Sequence, residues 1–105
     1  MMYARVVTSQ LQLGKKAEWS SIIRDSIVPA LQQQKGFTGF VMLADTDSDK
    51  CIAYSMWETE ADLKASETSG FYQEQVAKLK SVLAAAPMRE ICELTILAAT
   101  NNEDA

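Results

Sequence analysis

The order in which apolar patterns change along the chain is the feature that most constrains its fold. Four segments have the short apolar or alternating pattern of β-strands, and longer segments repeat apolar residues at the spacing of a buried helix face. They follow one another as β-α-β-β-α-β. This order predicts an α+β, ferredoxin-like fold, in which a four-stranded antiparallel sheet carries its helices on one face.

The predicted strands cover residues 3–13, 37–45, 50–57 and 88–98. The second and third are separated by a short turn of Asp, Thr and Ser, residues that bond their own backbone, so we expect a hairpin there. We expect its acidic tip to be solvated, because a calcium loop needs a longer ligand series that ends in a distal Glu.

The predicted helices carry their own boundary signals. The first covers residues 15–34 and contains Pro29, which predicts a kink or an early end because proline lacks a backbone donor. Thr59 is suited to cap a short helix that ends near residue 66. A longer helix is predicted over residues 71–86.

The length and the missing residue types exclude several functions. The chain has 105 residues, which allows one domain; we assign it to residues 1–99, followed by an acidic C-terminal tail over residues 100–105. There is no histidine, the commonest general base and the commonest metal and haem ligand. We therefore expect neither a metal nor a cofactor.

Charge and cysteine content point to the setting. The formal charge is -4, which argues against a nucleic-acid partner because phosphate binding needs clustered Lys and Arg. No apolar run approaches the ~20 residues that span a bilayer, so no membrane partner is expected. Two cysteines are too few for a disulfide scaffold. These features together favour a cytoplasmic location.

A sheet with its helices on one face leaves the opposite face uncovered. Every predicted strand contributes apolar side chains to that opposite face, which in a monomer would form a large exposed apolar patch. We therefore predict that two copies pack sheet against sheet across a two-fold axis, as a homodimer.

Three stretches in this order resemble the antibiotic biosynthesis monooxygenase (ABM) domain family: Gly36-Phe37, the sequence SMWETE over residues 55–60, and Ser69-Gly70-Phe71. The resemblance covers roughly residues 2–98. It implies membership of the dimeric α/β barrel superfamily, with a pocket between the helices and the sheet of each subunit. It also implies a cofactor-independent monooxygenase acting on a small aromatic or quinol-like substrate.

The resemblance suggests site residues. Trp57 matches the strand-end tryptophan that lines the pocket in the family's oxygenases, and Tyr72 is placed to bond a substrate oxygen or relay a proton. These two are the candidate catalytic residues, with core packing as the alternative role for each. The candidate substrate-binding residues lie near them in the predicted fold: Thr8, Ser9, Trp19, Ser55 and Gln75.

The chain also departs from the family pattern. Val7 stands where the oxygenases often have an asparagine, and Gln75 stands where haem-degrading members have their axial histidine. Gln is not an ordinary haem ligand, so haem degradation is excluded.

A second hypothesis stays open, because a fold does not fix a function. The chain would then be a non-enzymatic dimeric α/β barrel protein that binds a small apolar ligand or has a structural or stress role. Cavity size separates the two hypotheses. An open pocket of a few hundred Å³ lined by Trp57 favours binding or catalysis, and a filled interior favours the structural role.

Overall fold

The computed structural model describes residues 1–99. Its four strands form an antiparallel sheet in the order β2-β3-β1-β4, which confirms the predicted ferredoxin-like α+β fold. The predicted acidic tail over residues 100–105 lies outside the described residues. The strands are β1 (Tyr3–Gln10), β2 (Phe37–Ala44), β3 (Lys50–Trp57) and β4 (Met88–Glu93).

The first helical region is continuous from α1 (Lys16–Ile22) through a π-helical segment (Ile23–Ile27) to α2 (Val28–Leu31). Pro29 does not break it. Proline would crowd a carbonyl one turn earlier, and the wider π turn upstream gives that carbonyl room. The predicted disturbance therefore takes the form of a wide turn, and the helix ends at Leu31 rather than at residue 34.

The predicted cap at Thr59 is confirmed. Its backbone is extended, and its hydroxyl oxygen accepts a hydrogen bond of 3.0 Å from the backbone N–H of Asp62, as an N-cap does. The helix that follows, α3 (Glu60–Thr68), ends two residues after the predicted limit at residue 66. Gly70 separates it from the next helix with a φ of 87°, a left-handed conformation that suits glycine.

The last helix is shorter than predicted. α4 (Phe71–Ala77) ends well before residue 86, and tight turns follow it. The backbone after these turns pairs with the end of the first strand: the N–H of Gln12 donates to the Val82 carbonyl, and the N–H of Ala84 donates to the Gln10 carbonyl, both at 2.8 Å. This long-range pairing replaces the helical bonds that the local pattern favoured.

The outer limits of two strands also differ from prediction. β1 ends at Gln10 rather than at residue 13, and only an isolated bridge from Leu11 to Leu83 continues it. β4 is an edge strand that pairs with β1 alone, and its register places Glu93 opposite Tyr3. Because the partner strand begins there, β4 ends at Glu93 rather than at residue 98.

The helices cover one face of the sheet, here called the helix-side face. Side chains alternate along a strand, and the register places Arg5 beside Ser55 and Ser9 beside Cys51 on this face. The main core lies between this face and the helices. Its buried members are Leu11, Trp19, Ile23, Ile27, Leu31, Cys51, Trp57, Leu63, Leu79 and Val82.

The opposite face, here called the outer face, is open and apolar. Val41 and Leu43 are 43% and 49% exposed, and Tyr54 and Met56 lie partly exposed on the neighbouring strand. The molecule is flat, with extents of 39 × 37 × 22 Å. Its radius of gyration is 14.3 Å, above the about 13 Å expected for a compact domain of this length. No helix within residues 1–99 has the length and apolar character needed to cross a bilayer.

Candidate functional site

A cavity of about 70 Å³ lies between the helix-side face and the helices. One wall is apolar and comes mainly from Trp19, Ile23, Ile27 and Leu31 on the first helical region. The other wall carries the polar groups, which come from β1, β3 and α4. These are Arg5, Ser9, Ser55, Tyr72 and Gln75.

Arg5 is the polar residue of this wall that the sequence analysis missed. It is only 3% exposed, although arginine is seldom buried. Its guanidinium donates to the hydroxyl of Ser66 at 2.8 Å and lies 4.4 Å from the ring centroid of Tyr72 and 5.5 Å from that of Trp57. Both distances are in the range of cation–π contacts, so the two rings hold the cation at the cavity wall.

The charge around Arg5 is only partly balanced. The mostly buried carboxylate of Glu67 lies 3.6 Å from the guanidinium of Arg5 and 3.2 Å from that of Arg89. Burial lowers the pKa of Arg5 and the neighbouring Glu67 opposes this, yet arginine stays charged in proteins. Among residues 1–99, two cations thus share one anion, and one positive charge remains beside the cavity.

Tyr72 is half-buried at the first turn of α4. Burial raises the pKa of its phenol, and the nearby Arg5 opposes that shift. The phenol therefore stays protonated at neutral pH and can donate a hydrogen bond into the cavity.

Gln75 lies one helical turn after Tyr72, so both side chains lie on the same side of α4. It is 7% exposed, lines the cavity, and its Oε1 has no hydrogen-bond partner within residues 1–99. A buried acceptor left unpaired costs about 1–3 kcal/mol. A ligand hydroxyl that donates to this oxygen would remove that cost.

Trp57 does not lie on the cavity wall, contrary to prediction. It is fully buried, its indole N–H donates to the hydroxyl of Ser55 at 3.0 Å, and its ring meets the edge of Phe37 at 5.7 Å between centroids. Its contacts with Arg5 and Ser55 support two residues that do line the cavity. Trp57 is therefore a core residue that supports the wall of this cavity from behind.

The structure brings most of the predicted substrate-binding residues together. Ser9, Trp19, Ser55 and Gln75 line the cavity, and so does Tyr72. Thr8 does not, because it precedes Ser9 by one position and its side chain points to the outer face. The same alternation was the available signal for Arg5, which shares its face with Ser9.

A second opening, here called the outer groove, adjoins the cavity. Its volume is about 340 Å³, and Tyr72 and Val76 form part of the wall of both spaces. Gln73, Pro87 and Arg89 complete its lining. The cavity alone is about half of an engineered 150 Å³ cavity that accepts benzene, so a larger ligand needs space beyond it, and the outer groove adjoins it.

These dimensions fall between the two outcomes set out from the sequence. The interior is not filled by side chains, yet the cavity is smaller than a pocket of a few hundred Å³ and Trp57 is absent from its wall.

A family comparison agrees with this fold. The model of the antibiotic biosynthesis monooxygenase family, ABM, matches residues 2–78, and the chain belongs to this family. Two uncharacterized proteins of Mycobacterium tuberculosis, Rv2557 and Rv2558, are similar in sequence. Rv2557 is 36% identical over 80 residues, which is 76% of this chain and 33% of that protein. Rv2558 is 38% identical over 66 residues, which is 63% of this chain and 28% of that protein. The chain thus spans about a third of the length of these relatives.

Solved structures of low sequence identity share the fold. A putative antibiotic biosynthesis monooxygenase from Bordetella bronchiseptica aligns with a TM-score of 0.78 at 17% identity, covering 91% of this chain and 98% of that chain. The ActVA-Orf6 monooxygenase of Streptomyces coelicolor, in complex with nanaomycin D, aligns with a TM-score of 0.76 at 16% identity, over 93% and 92% of the two chains. SnoaB, a cofactor-independent oxygenase from Streptomyces nogalater, aligns at 0.71 with 14% identity, over 97% and 98%.

Proposed function

We propose that this protein is a cofactor-independent monooxygenase that oxidises a small phenol or quinol bound in the helix-side cavity. The observation that carries the proposal is the buried guanidinium of Arg5 on the wall of the cavity, opposite its apolar wall. Membership of the ABM family supports the reaction class, as do two neighbours in fold that are described as a monooxygenase and as a cofactor-independent oxygenase.

The proposed reaction needs no reductant besides the substrate. A phenol loses the hydrogen on the ring carbon opposite its hydroxyl and the hydroxyl proton, and becomes a quinone. In a quinol that carbon already carries oxygen, so another ring C–H takes the new oxygen and the product is a hydroxyquinone. In both cases one atom of O₂ is added to the ring and the other leaves as water, so the substrate supplies all four electrons. The anion transfers an electron to O₂ more readily than the neutral phenol, so deprotonation comes first.

The cavity favours that anion. A phenolate about 4 Å from a guanidinium gains about 4 kcal/mol at an effective dielectric constant of about 20. Tyr72 donates to the substrate oxygen, and Oε1 of Gln75 accepts from a second hydroxyl in a quinol. Neither a carboxylate nor an imidazole occurs among the residues that line this cavity, so the substrate proton passes to water.

A homodimer is part of the proposal. Val41 and Leu43 lie on the outer face of β2, and a second copy packed there would cover them. Dimerisation would also hold β1 and β3 rigid, and with them Arg5 and Ser55. The cytoplasmic location remains a prediction.

A second candidate function is ligand binding without turnover, on the same fold. The cavity holds only about 70 Å³, so a ligand of two rings can enter only if the side chains of the wall move. Such a movement is compatible with binding alone as well as with catalysis. Oxygen consumption separates the two functions.

The test is oxygen-18 labelling with 1-naphthol in chelator-treated buffer. The expected product is 1,4-naphthoquinone with one labelled oxygen, formed faster than in protein-free buffer. With 1,4-dihydroxynaphthalene, whose second hydroxyl can donate to Gln75, Gln75→Leu should lower kcat/KM about tenfold, the effect of losing one hydrogen bond of about 1.4 kcal/mol. Gln33→Leu, an exposed glutamine outside the cavity, is the matched control and should leave it unchanged.

Two outcomes would contradict the proposal. Product formation equal to that of protein-free buffer would exclude turnover of this substrate class and leave the binding function. Full activity in both Gln75→Leu and Tyr72→Phe would remove the reaction from this cavity.

A further inference from the structure

The structure points to an aromatic acid as the substrate, with its hydroxyl in the helix-side cavity and its carboxylate on Arg89 in the outer groove. This inference rests on the proposed function and narrows its substrate class. Three observations carry it: the shared wall of the two spaces, the unbalanced charge, and the position of Arg89.

The first observation is the shared wall. The cavity holds about 70 Å³ and the outer groove about 340 Å³, and Tyr72 and Val76 lie between them. Tyr72 is half-buried, and its ring rests on the guanidinium of Arg5 at 4.4 Å. A substrate of two fused rings that follows this shared wall would extend from Gln75 to the outer groove.

The second observation is the charge. Glu67 contacts both Arg5 and Arg89, so among residues 1–99 these three groups carry one net positive charge. This charge attracts an anionic group on the ligand as well as the phenolate that forms during the reaction.

The third observation is where that charge is accessible. Arg5 is buried and faces the cavity, whereas Arg89 is 43% exposed on its side chain and lines the outer groove. Nε of Arg89 lies 3.2 Å from the carboxylate of Glu67 in an ion pair, and the terminal nitrogens of its guanidinium are left to donate to a ligand. A guanidinium matches a carboxylate with two parallel hydrogen bonds. Arg89 is thus a specificity-determining residue for an acidic group at the outer end of the substrate.

The test compares two rigid probes by fluorescence titration at pH 7. 6-Hydroxy-2-naphthoic acid has a hydroxyl and a carboxylate at opposite ends, and 2-naphthol lacks the carboxylate. Both phenols are neutral at this pH because phenols ionise near pH 10. We expect the acid to bind the wild-type protein at least tenfold more tightly than 2-naphthol.

Variants assign that preference to Arg89. Arg89→Gln should reduce it to about twofold or less while changing the affinity for 2-naphthol less than twofold. Arg89→Lys keeps the charge and should retain part of the preference. Arg24→Gln is the matched control, because it removes the same charge from an exposed arginine that pairs with Asp25. Arg24 lines neither the cavity nor the outer groove, so this variant should keep the full preference for the acid.

The outcomes separate this inference from the proposed function. If 2-naphthol binds and the acid binds no more tightly, the inference is wrong and the proposed phenol site stands. If the acid is preferred equally in wild type and Arg89→Gln, the carboxylate lies elsewhere and the inference is also wrong. If neither probe binds, the inference and the proposed site are both wrong.

Discussion

The two faces of the sheet come from the same four strands but pose opposite chemical problems. The helix-side face and the helices enclose polar groups in an apolar interior. Among these groups are the cation of Arg5 and an oxygen of Gln75 that has no hydrogen-bond partner within residues 1–99. The outer face exposes apolar groups such as Val41 and Leu43 to water. A ligand would satisfy the first face and another protein surface would satisfy the second. Successive side chains along each strand point to opposite faces, so the residues that line the cavity and the residues of the outer face alternate in the sequence.

The largest effect on stability is expected from Trp57, which anchors the helix-side face. Trp57→Ala should lower the free energy of unfolding by about 3–5 kcal/mol, because it empties a fully buried site and leaves the hydroxyl of Ser55 without its donor. Urea denaturation measures this change. Trp57→Phe retains most of the volume and should cost clearly less. A loss below about 1 kcal/mol in Trp57→Ala would mean that this face is not the main core.

The next effect concerns the charge on the same face. Arg5→Met should lower kcat/KM for 1-naphthol about 100-fold, or about 2.7 kcal/mol of transition-state stabilisation, because the anion loses its counter-charge. The fold should survive, since Glu67 keeps its ion pair with Arg89.

Steady-state oxygen uptake measures the effect of Arg5→Met, and circular dichroism checks the fold. Arg24→Met, at an exposed arginine, should have no effect on either. Wild-type kcat/KM in a folded Arg5→Met protein would show that the helix-side face does not stabilise the reacting anion.

The smallest of the three effects belongs to the outer face. Leu43→Lys should raise the dimer dissociation constant at least tenfold, about 1.4 kcal/mol, by placing a charge in the proposed dimer interface. Sedimentation equilibrium measures it. Leu13→Lys is the matched control, because Leu13 is 89% exposed in a turn after β1. A wild-type protein that is monomeric at high micromolar concentration would contradict the proposed role of the outer face.

Sequence patterns were sufficient for the order of the elements. Periodicity is a local property, and it separated the strands from the helices in the order that the structure has. The same local reasoning overextended α4, because the pairing of Val82 with Gln12 depends on residues far apart in the chain.

The candidate site was less accessible to sequence reasoning. A buried arginine is disfavoured unless partners surround it, and the partners of Arg5 come from α3, α4 and β3, whose positions the sequence does not specify. Trp57 was predicted to line the pocket between the helices and the sheet. It lies on that side of the sheet, but it is buried behind the cavity wall. Whether a side chain lines a cavity or lies behind it depends on the packing of its neighbours, here Ser55 and Phe37.

The central claim is that the helix-side cavity stabilises an aromatic anion through Arg5. The most direct measurement is the pKa of 2-naphthol bound to the protein, followed by fluorescence, against its pKa in water. Burial alone raises the pKa of a phenol and a nearby cation lowers it. We predict that the bound pKa is lower by about one unit or more, and that Arg5→Met reverses this shift. A bound pKa in the wild-type protein equal to or above that in water would contradict the account.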